Sequence, residues 1–230
     1  MRNIGVQEAI LSENDRIAAQ NRGFLAQRGI FTINLMASPG AGKTSLIAGS
    51  IECLRGELRL AVIEGDIASS IDTDRLTSMG VPAVQINTGG DCHLEAHAVA
   101  QALSRLSLEG IDLLFIENVG NLICPTSFDL GQSSKVMVSS VSEGDDKPQK
   151  YPAMFQAVDV VILNKTDLLG ICPFDRDPFL RAVRQLNPEV QIFELSCLTG
   201  AGMDAWTDWL NRRVDETREI RRPSQPGGLS

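Results

Sequence analysis

Ala37-Ser-Pro-Gly-Ala-Gly-Lys-Thr44 decides the reading of this chain. It follows an apolar run, Phe31-Thr-Ile-Asn-Leu-Met36, and opens a segment of helical pattern, Ser45 to Leu54. Strand, glycine-rich loop and helix in that order form the context in which backbone N–H groups converge on a phosphate chain. Gly40 and Gly42 stand where a Cβ would obstruct that approach or where φ must be positive. The helix dipole lies behind the anion, Lys43 is placed for the β and γ phosphates, and the Thr44 hydroxyl for Mg²⁺. Ala41 and Ser45 complete the expected contacts. The strict pattern begins with Gly; here Ala37 takes that position, a small residue for which positive φ is costly.

A second element, Asn164-Lys-Thr-Asp167, follows the apolar run Val158 to Leu163. A carboxylate at the last position accepts from guanine N1–H and from the exocyclic amine, a donor pair that adenine lacks, so Asp167 reads guanine. Asn164 is expected to tie this loop to the phosphate loop, and the Lys165 stem to lie over the base. Ser196-Cys197-Leu198, after the last strand, resembles an element whose backbone contacts the guanine oxygen. The two ends together imply a GTP site. Asp66 and Glu117 are carboxylates placed to help hold Mg²⁺ through bound water, since this ion dehydrates reluctantly; strand-end capping is the other reading of each. Glu117-Asn-Val-Gly120 stands where many GTPases carry Asp-x-x-Gly, and the Gly120 N–H is placed to meet the γ phosphate. Lys43 and Asp72 are the expected catalytic residues, with Asp72 positioning water in the first switch. No Gln follows Gly120 and no arginine finger is identified, so slow intrinsic hydrolysis to GDP is expected.

Composition narrows the class. The 230 residues suit one α/β domain with a well-buried core, and 43% hydrophobic with 22% charged residues is ordinary for a globular protein. A net charge of −8 and a pI near 4.8 argue against nucleic acid and anionic membrane as partners. Local groups must therefore hold the nucleotide. Nothing near Met1 resembles a signal peptide and no apolar run is long enough for a membrane span, so a cytoplasmic location is expected. Five cysteines, Cys53, Cys92, Cys124, Cys172 and Cys197, form an odd set without paired spacing, which reads as free thiols in a reducing compartment.

Short apolar runs alternate with helical stretches, predicting an α/β fold: a doubly wound, mostly parallel sheet of about seven strands. The strands are predicted at Phe31 to Met36, Arg59 to Ile63, Ala83 to Ile86, Leu113 to Ile116, Lys135 to Val141, Val158 to Leu163 and Gln191 to Leu195. Helices are predicted at Ser45 to Leu54, Asp72 to Met79, Leu94 to Leu106, Pro178 to Leu186 and Met203 to Ile220. Residues 1–30 read as a helical extension, 31–220 as the GTPase domain and 221–230 as a disordered tail. The extension carries Ala9, Ile10, Ile17, Phe24 and Leu25 as an apolar stripe, packed on the nucleotide domain or kept for a partner. Ser142 to Tyr151 reads as a polar, mobile loop. Ligands of open α/β sheets collect at the carboxyl ends of the strands, which puts Asp66, Cys92, His93, Glu117, Gly120 and Asn164 along one rim.

Cys92-His93 and Cys124-Pro125 form a further constellation. It reads as a thiolate and imidazole transition-metal site, or as two buried thiols and a helix-capping histidine; spacing alone favours the second, and position changes the weighing. Cys124 lies four residues beyond Gly120, so a metal there would feel the nucleotide directly. Two thiolates and one imidazole leave the fourth place of a tetrahedral ion open, to be completed where two chains meet. His97 is a spare ligand or an exposed-face histidine. Cys53, Cys172 and Cys197 have no matching partners for a metal.

Taken together, Glu13-Asn-Asp-Arg16, Ser38-Pro-Gly-Ala-Gly-Lys-Thr44, Glu64-Gly-Asp66, Asn87-Thr-Gly-Gly-Asp-Cys-His-Leu94, Phe115-Ile-Glu-Asn-Val-Gly-Asn-Leu-Ile-Cys-Pro125, Lys150-Tyr-Pro-Ala153 and Asn164-Lys-Thr-Asp167 resemble the HypB family of P-loop GTPases. The similarity runs from about Ser12 to Leu210. Members of that family help insert nickel into nickel-iron hydrogenase. The resemblance implies nickel or zinc on Cys92, His93 and Cys124 at a dimer interface, with GTP, GDP and Mg²⁺ as cofactors. It also implies a GTP-promoted homodimer, a HypA-type partner that receives or relays nickel, and indirect service to a hydrogenase large-subunit precursor. Some members carry an N-terminal Cys-x-x-Cys-x-Cys or a His-rich stretch. Met1 to Gln7 has neither, so reliance on the switch-linked site alone is expected. The urease accessory GTPase UreG shares the fold and the nickel task, but its metal site resembles Cys-Pro-His, whereas Cys-His and Cys-Pro are separate here. A small-molecule kinase would call for an acceptor pocket and a basic lid, neither of them evident. A nonenzymatic metal module with structural nucleotide is the remaining alternative.

Overall fold

The computed structural model describes residues 6–66 and 71–221, with side chains from 10–66 and 75–221. The side chains of Ala9 and Asp72, and the expected tail at 221–230 except Arg221, lie outside the described residues. Seven strands, β1 Phe31–Ala37, β2 Leu60–Asp66, β3 Ala83–Asn87, β4 Leu113–Glu117, β5 Ser134–Ser140, β6 Val160–Asn164 and β7 Gln191–Glu194, form one sheet in the order β3-β2-β4-β1-β5-β6-β7. Every pair is parallel. Helices are α1 Val6–Arg28, α2 Lys43–Cys53, α3 Ile71–Ser78, α4 Ala96–Arg105, α5 Lys147–Lys150, α6 Pro152–Ala157, α7 Arg176–Leu186 and α8 Met203–Arg221. This is the doubly wound α/β fold expected. The strands β1, β4 and β6 are buried along their whole length, because a parallel sheet is covered on both faces and its strands read as continuous apolar runs.

Strand alternation sorts the core. Phe31, Ile33, Leu35, Val62, Phe115, Val136 and Ile162 face Leu46 and Ile47 of α2 and Trp206 and Leu210 of α8. On the opposite face, Ala61, Ile63, Leu114 and Ile116 meet Leu25 of α1 and Val99 and Leu103 of α4. Met137, Val161 and Leu163 meet Phe155 of α6 and Phe179 of α7. Between those last two clusters β1 presents Thr32 and Asn34, both buried and polar. The Trp206 indole N–H donates to Ser50 Oγ at 2.9 Å and its ring stacks on Trp209 at 5.2 Å, so α8 anchors α2, the helix behind the phosphate loop, through an amphipathic aromatic.

Two expectations change. The buried face of α1 is Asn14, Ala18, Asn21 and Leu25, and Ile10 of the expected apolar stripe is 48% exposed. Asn14 Nδ2 donates to Asp129 O at 2.8 Å and its Oδ1 accepts from Ala96 N–H at 2.8 Å. Asn21 Nδ2 donates to Ala96 O at 2.9 Å and to Leu130 O at 3.1 Å. The helix is thus pinned to the start of α4 and to the 129–130 turn by buried amides with partners. Residues 142–151, expected as a polar loop, instead run through a 3₁₀ turn at Val141–Glu143 into α5 and α6. Ser140 and Glu143 cap that turn reciprocally. Pro148 and Pro152 sit in first helical turns, where a missing N–H costs nothing. Among the described residues no helix is long and apolar enough to cross a membrane.

Candidate nucleotide and metal site

At the carboxyl end of β1 the chain turns through residues 38–42. Gly40 and Gly42 have φ of 76° and 105°. Ala37 ends the strand, fully buried and without positive φ, so the departure from glycine there carries no backbone strain. Gly42 is required twice over: its φ is left-handed, and a Cβ would stand 2.4 Å from Asn164 Nδ2. That amide donates to Ala41 O at 3.0 Å, while Asn164 Oδ1 accepts from Lys165 N–H at 2.7 Å and Cys197 N–H at 3.2 Å. One buried side chain therefore joins the phosphate loop, the 164–167 turn and the 196–198 turn. Lys165, with φ 59°, sends Nζ across the cleft to Gly40 O at 2.7 Å. The Ser196 hydroxyl donates to Asp167 Oδ1 and fixes the carboxylate's direction. Burial pushes the Cys197 thiol up to about 11, making it a poor nucleophile at neutral pH. Leu198 beside it is 84% exposed.

Two adjoining cavities make the cleft. One of 550 Å³ is lined by Lys43, Thr44, Asp66, Glu117 and Gly120, and one of 420 Å³ by Asn164, Asp167, Cys197 and Leu198. Gly42, Ser45, Arg75 and Lys165 border both. Cavities of 570 and 590 Å³ elsewhere, beside Asp159 and Arg213 and beside Arg28 and Arg218, contain no phosphate-loop residue. Thr44 Oγ1 donates to Glu117 Oε1 at 3.0 Å, placing hydroxyl and carboxylate where a hard divalent cation could take both. A Cβ on Gly120 would stand 2.9 Å from Pro39 Cγ and 3.0 Å from Pro39 N, so the turn after β4 lies directly on the phosphate loop and admits no larger residue.

Beside that turn the thiols gather. Ligand atoms of Cys92, His93 and Cys124 lie within 4.8 Å of one another, the one such group among the described residues. Cys92 Sγ is 3.5 Å from His93 Nδ1. A hydrogen bond with Cys124, then burial, then the charge of Cys124 raise the Cys92 pKa, and binding a metal requires this thiol to lose its proton. The imidazole lies on Phe128, centroids 3.9 Å apart. Its Nε2 is buried without a hydrogen-bond partner and 3.9 Å from Glu95 Oε1. Ligating histidines commonly present their second N–H to a carboxylate, and with Nδ1 beside the thiols this geometry offers that arrangement. Neither thiol is fully buried, and α4 is capped at Glu95 without a side-chain bond, so His93 does not cap the helix. His97 is 58% exposed and outside the cluster, as are Cys53, Cys172 and Cys197.

Several participants leave no sequence signal. Lys147 Nζ reaches Ser38 Oγ at 3.3 Å and Glu143 Oε1 at 3.3 Å. Phe128, Glu95, Asn118 and Arg75 become visible only when distant segments meet.

A family model described as CobW/HypB/UreG, nucleotide-binding domain, matches residues 31–194. The chain is 49% identical over 230 residues to the hydrogenase maturation factor HypB of Azotobacter vinelandii, covering 96% of this chain and 76% of that protein. The chain belongs to the HypB family. HypB from Archaeoglobus fulgidus superimposes with a TM-score of 0.83 at 38% identity, covering 88% of this chain and 99% of that one. HypB from Helicobacter pylori, solved in complex with nickel, gives a TM-score of 0.83 at 35% identity over 93% of this chain and 99% of the other. The α/β architecture and the phosphate loop are thus those of the HypB nucleotide-binding domain.

Proposed function

We propose that this HypB member is a GTP-hydrolysing metallochaperone that binds nickel, or zinc in its place, and assists nickel insertion into nickel-iron hydrogenase in the cytoplasm. The observation that carries the reading is adjacency: Cys124 lies four residues beyond Gly120, Gly120 rests on the phosphate loop, and Cys92, His93 and Cys124 converge within 4.8 Å. Lys43 and the loop N–H groups hold the β and γ phosphates, Asp167 reads guanine, and Asn164 keeps the two loops in register. Thr44, Asp66 and Glu117 would hold Mg²⁺, which neutralises charge on the phosphate oxygens. Asp72 positions the attacking water. The γ phosphate draws the Gly120 N–H inward, two subunits associate at this rim, and hydrolysis releases the 120–124 segment. Nickel affinity then falls and the ion passes to a HypA-type partner. A second copy of the chain supplies the open coordination position.

The guanine assignment has its own consequence. In Asp167→Asn the amide Oδ1 can still accept from guanine N1–H, but the amide N–H faces the exocyclic amine, so one acceptance becomes a donor clash. GTP turnover at subsaturating substrate is expected to fall on the order of 10²-fold or more, whereas xanthosine triphosphate, which presents a carbonyl in place of the amine, regains turnover. Competition between the two nucleotides measures this. The function as a whole is tested in cells lacking their own HypB: the chain is expected to restore the nickel content and activity of the hydrogenase. Phosphate release that requires an added small-molecule acceptor would instead favour the kinase reading.

A further inference from the structure

The metal ligands come from two segments. Cys124 continues directly from the Gly120 turn, but Cys92 and His93 follow β3 and have no short route to it along the chain. Asn118 supplies one. Its side chain is 1% exposed; Oδ1 accepts from Leu94 N–H at 3.0 Å and from Val119 N–H at 2.9 Å, and Nδ2 donates to Asn34 Oδ1 at 3.2 Å on β1. Leu94 follows His93 in the chain. It is gripped on a second side as well, since a Cβ on Gly65 would stand 2.7–2.8 Å from the Leu94 side chain, and Gly65 precedes Asp66. Residue 94 therefore touches the ends of both strands that carry the candidate Mg²⁺ carboxylates. Two residues on, Ala96 N–H is fixed to Asn14 of α1. With residue 96 held by α1, a shift of Asn118 relative to α1 falls on the short stretch that includes His93 and Cys92.

We infer that Asn118 is a positioning residue that transmits nucleotide state to the Cys92-His93 half of the metal clamp, while Cys124 follows through the chain itself. The inference rests on the reading that nucleotide state governs nickel affinity. An amide suits the task because it accepts two backbone N–H bonds and donates a third from one planar group, so the turn after β4, the metal loop and β1 move as one unit. A merely structural amide would affect folding or both nucleotide states alike. A coupling element alters the ratio between them.

The test is the nickel dissociation constant measured in the GDP form and in a nonhydrolysable GTP form, for the full chain and for Asn118→Ala, Asn118→Asp and Leu94→Ala, each confirmed folded by circular dichroism. Wild type is expected to show a ratio of roughly 5–150-fold. Asn118→Ala should bring the ratio close to one while nickel and nucleotide each still bind. Asn118→Asp, which retains both acceptances, should recover most of it, and Leu94→Ala, which loses the Gly65 contact, should lower it. A wild-type ratio in folded Asn118→Ala, or equal weakening of nickel in both states, overturns the inference. Should Asn118→Ala fail to fold, an unchanged ratio in Leu94→Ala overturns it equally. A ratio of one in the unmutated chain overturns the underlying reading instead.

Discussion

Lys43→Ala is expected to lower GTP hydrolysis by about 10²–10³-fold or more, with the fold intact. Lys43 begins α2 and is 8% exposed beneath the phosphate cavity, and Ala is a strong helix former at that position. On the proposed mechanism, what disappears is the ammonium that holds the β and γ phosphates, where charge changes during phosphoryl transfer. Removing one preorganised donor of that kind costs roughly 2.7–4 kcal/mol of transition-state stabilisation. Phosphate release at saturating GTP, together with calorimetric binding of GTP and GDP, separates lost chemistry from lost binding. Hydrolysis at the unmutated rate would show that the reaction does not use this loop. A Lys43→Ala chain that still matured hydrogenase would favour a nonenzymatic metal module.

Cys92→Ala is expected to weaken nickel binding on the order of 10²-fold or more, since changes to outer-shell partners alone cost about 10–100-fold and this one removes a donor atom. The sulfur sits 3.5 Å from the imidazole nitrogen and within 4.8 Å of the Cys124 sulfur, so its loss removes both of its contacts in the cluster. Cys124→Ala should behave alike. Cys53→Ala is the matched control: Cys53 is an exposed thiol outside the cluster and its loss should leave nickel affinity unchanged. Competition with a chromophoric chelator reads all three. Equal affinities for Cys92→Ala and Cys53→Ala would dismiss the thiol cluster as the nickel site.

The fold was legible because its signals are local. Each strand of this parallel sheet carries a short, mostly apolar stretch, and all seven predicted runs lie within a few residues of observed strands. The phosphate and guanine elements are likewise contiguous, and their link through Asn164 followed from the chemistry that each loop needs. Long-range polar contacts have no such signature. Asn14 and Asn21 bond to backbone groups 75 to 115 residues away, and in the sequence they look like ordinary surface positions on a weakly amphipathic helix. The 142–151 stretch misleads for another reason: Pro148 reads as a breaker until it is seen to sit in the first turn of a helix. The stacking of Phe128 on His93 and the aim of Glu95 exist only because the 128–130 turn and the start of α4 are brought together by α1.

The central claim is that one element senses the terminal phosphate and holds a soft cation. Linkage makes the effect reciprocal, so the most direct measurement is the dissociation constant of a nonhydrolysable GTP analogue with and without saturating nickel, beside the same pair for GDP. The account predicts that nickel tightens the GTP analogue relative to GDP by the factor through which that analogue tightens nickel. Identical nucleotide affinities in the presence and absence of nickel would contradict it.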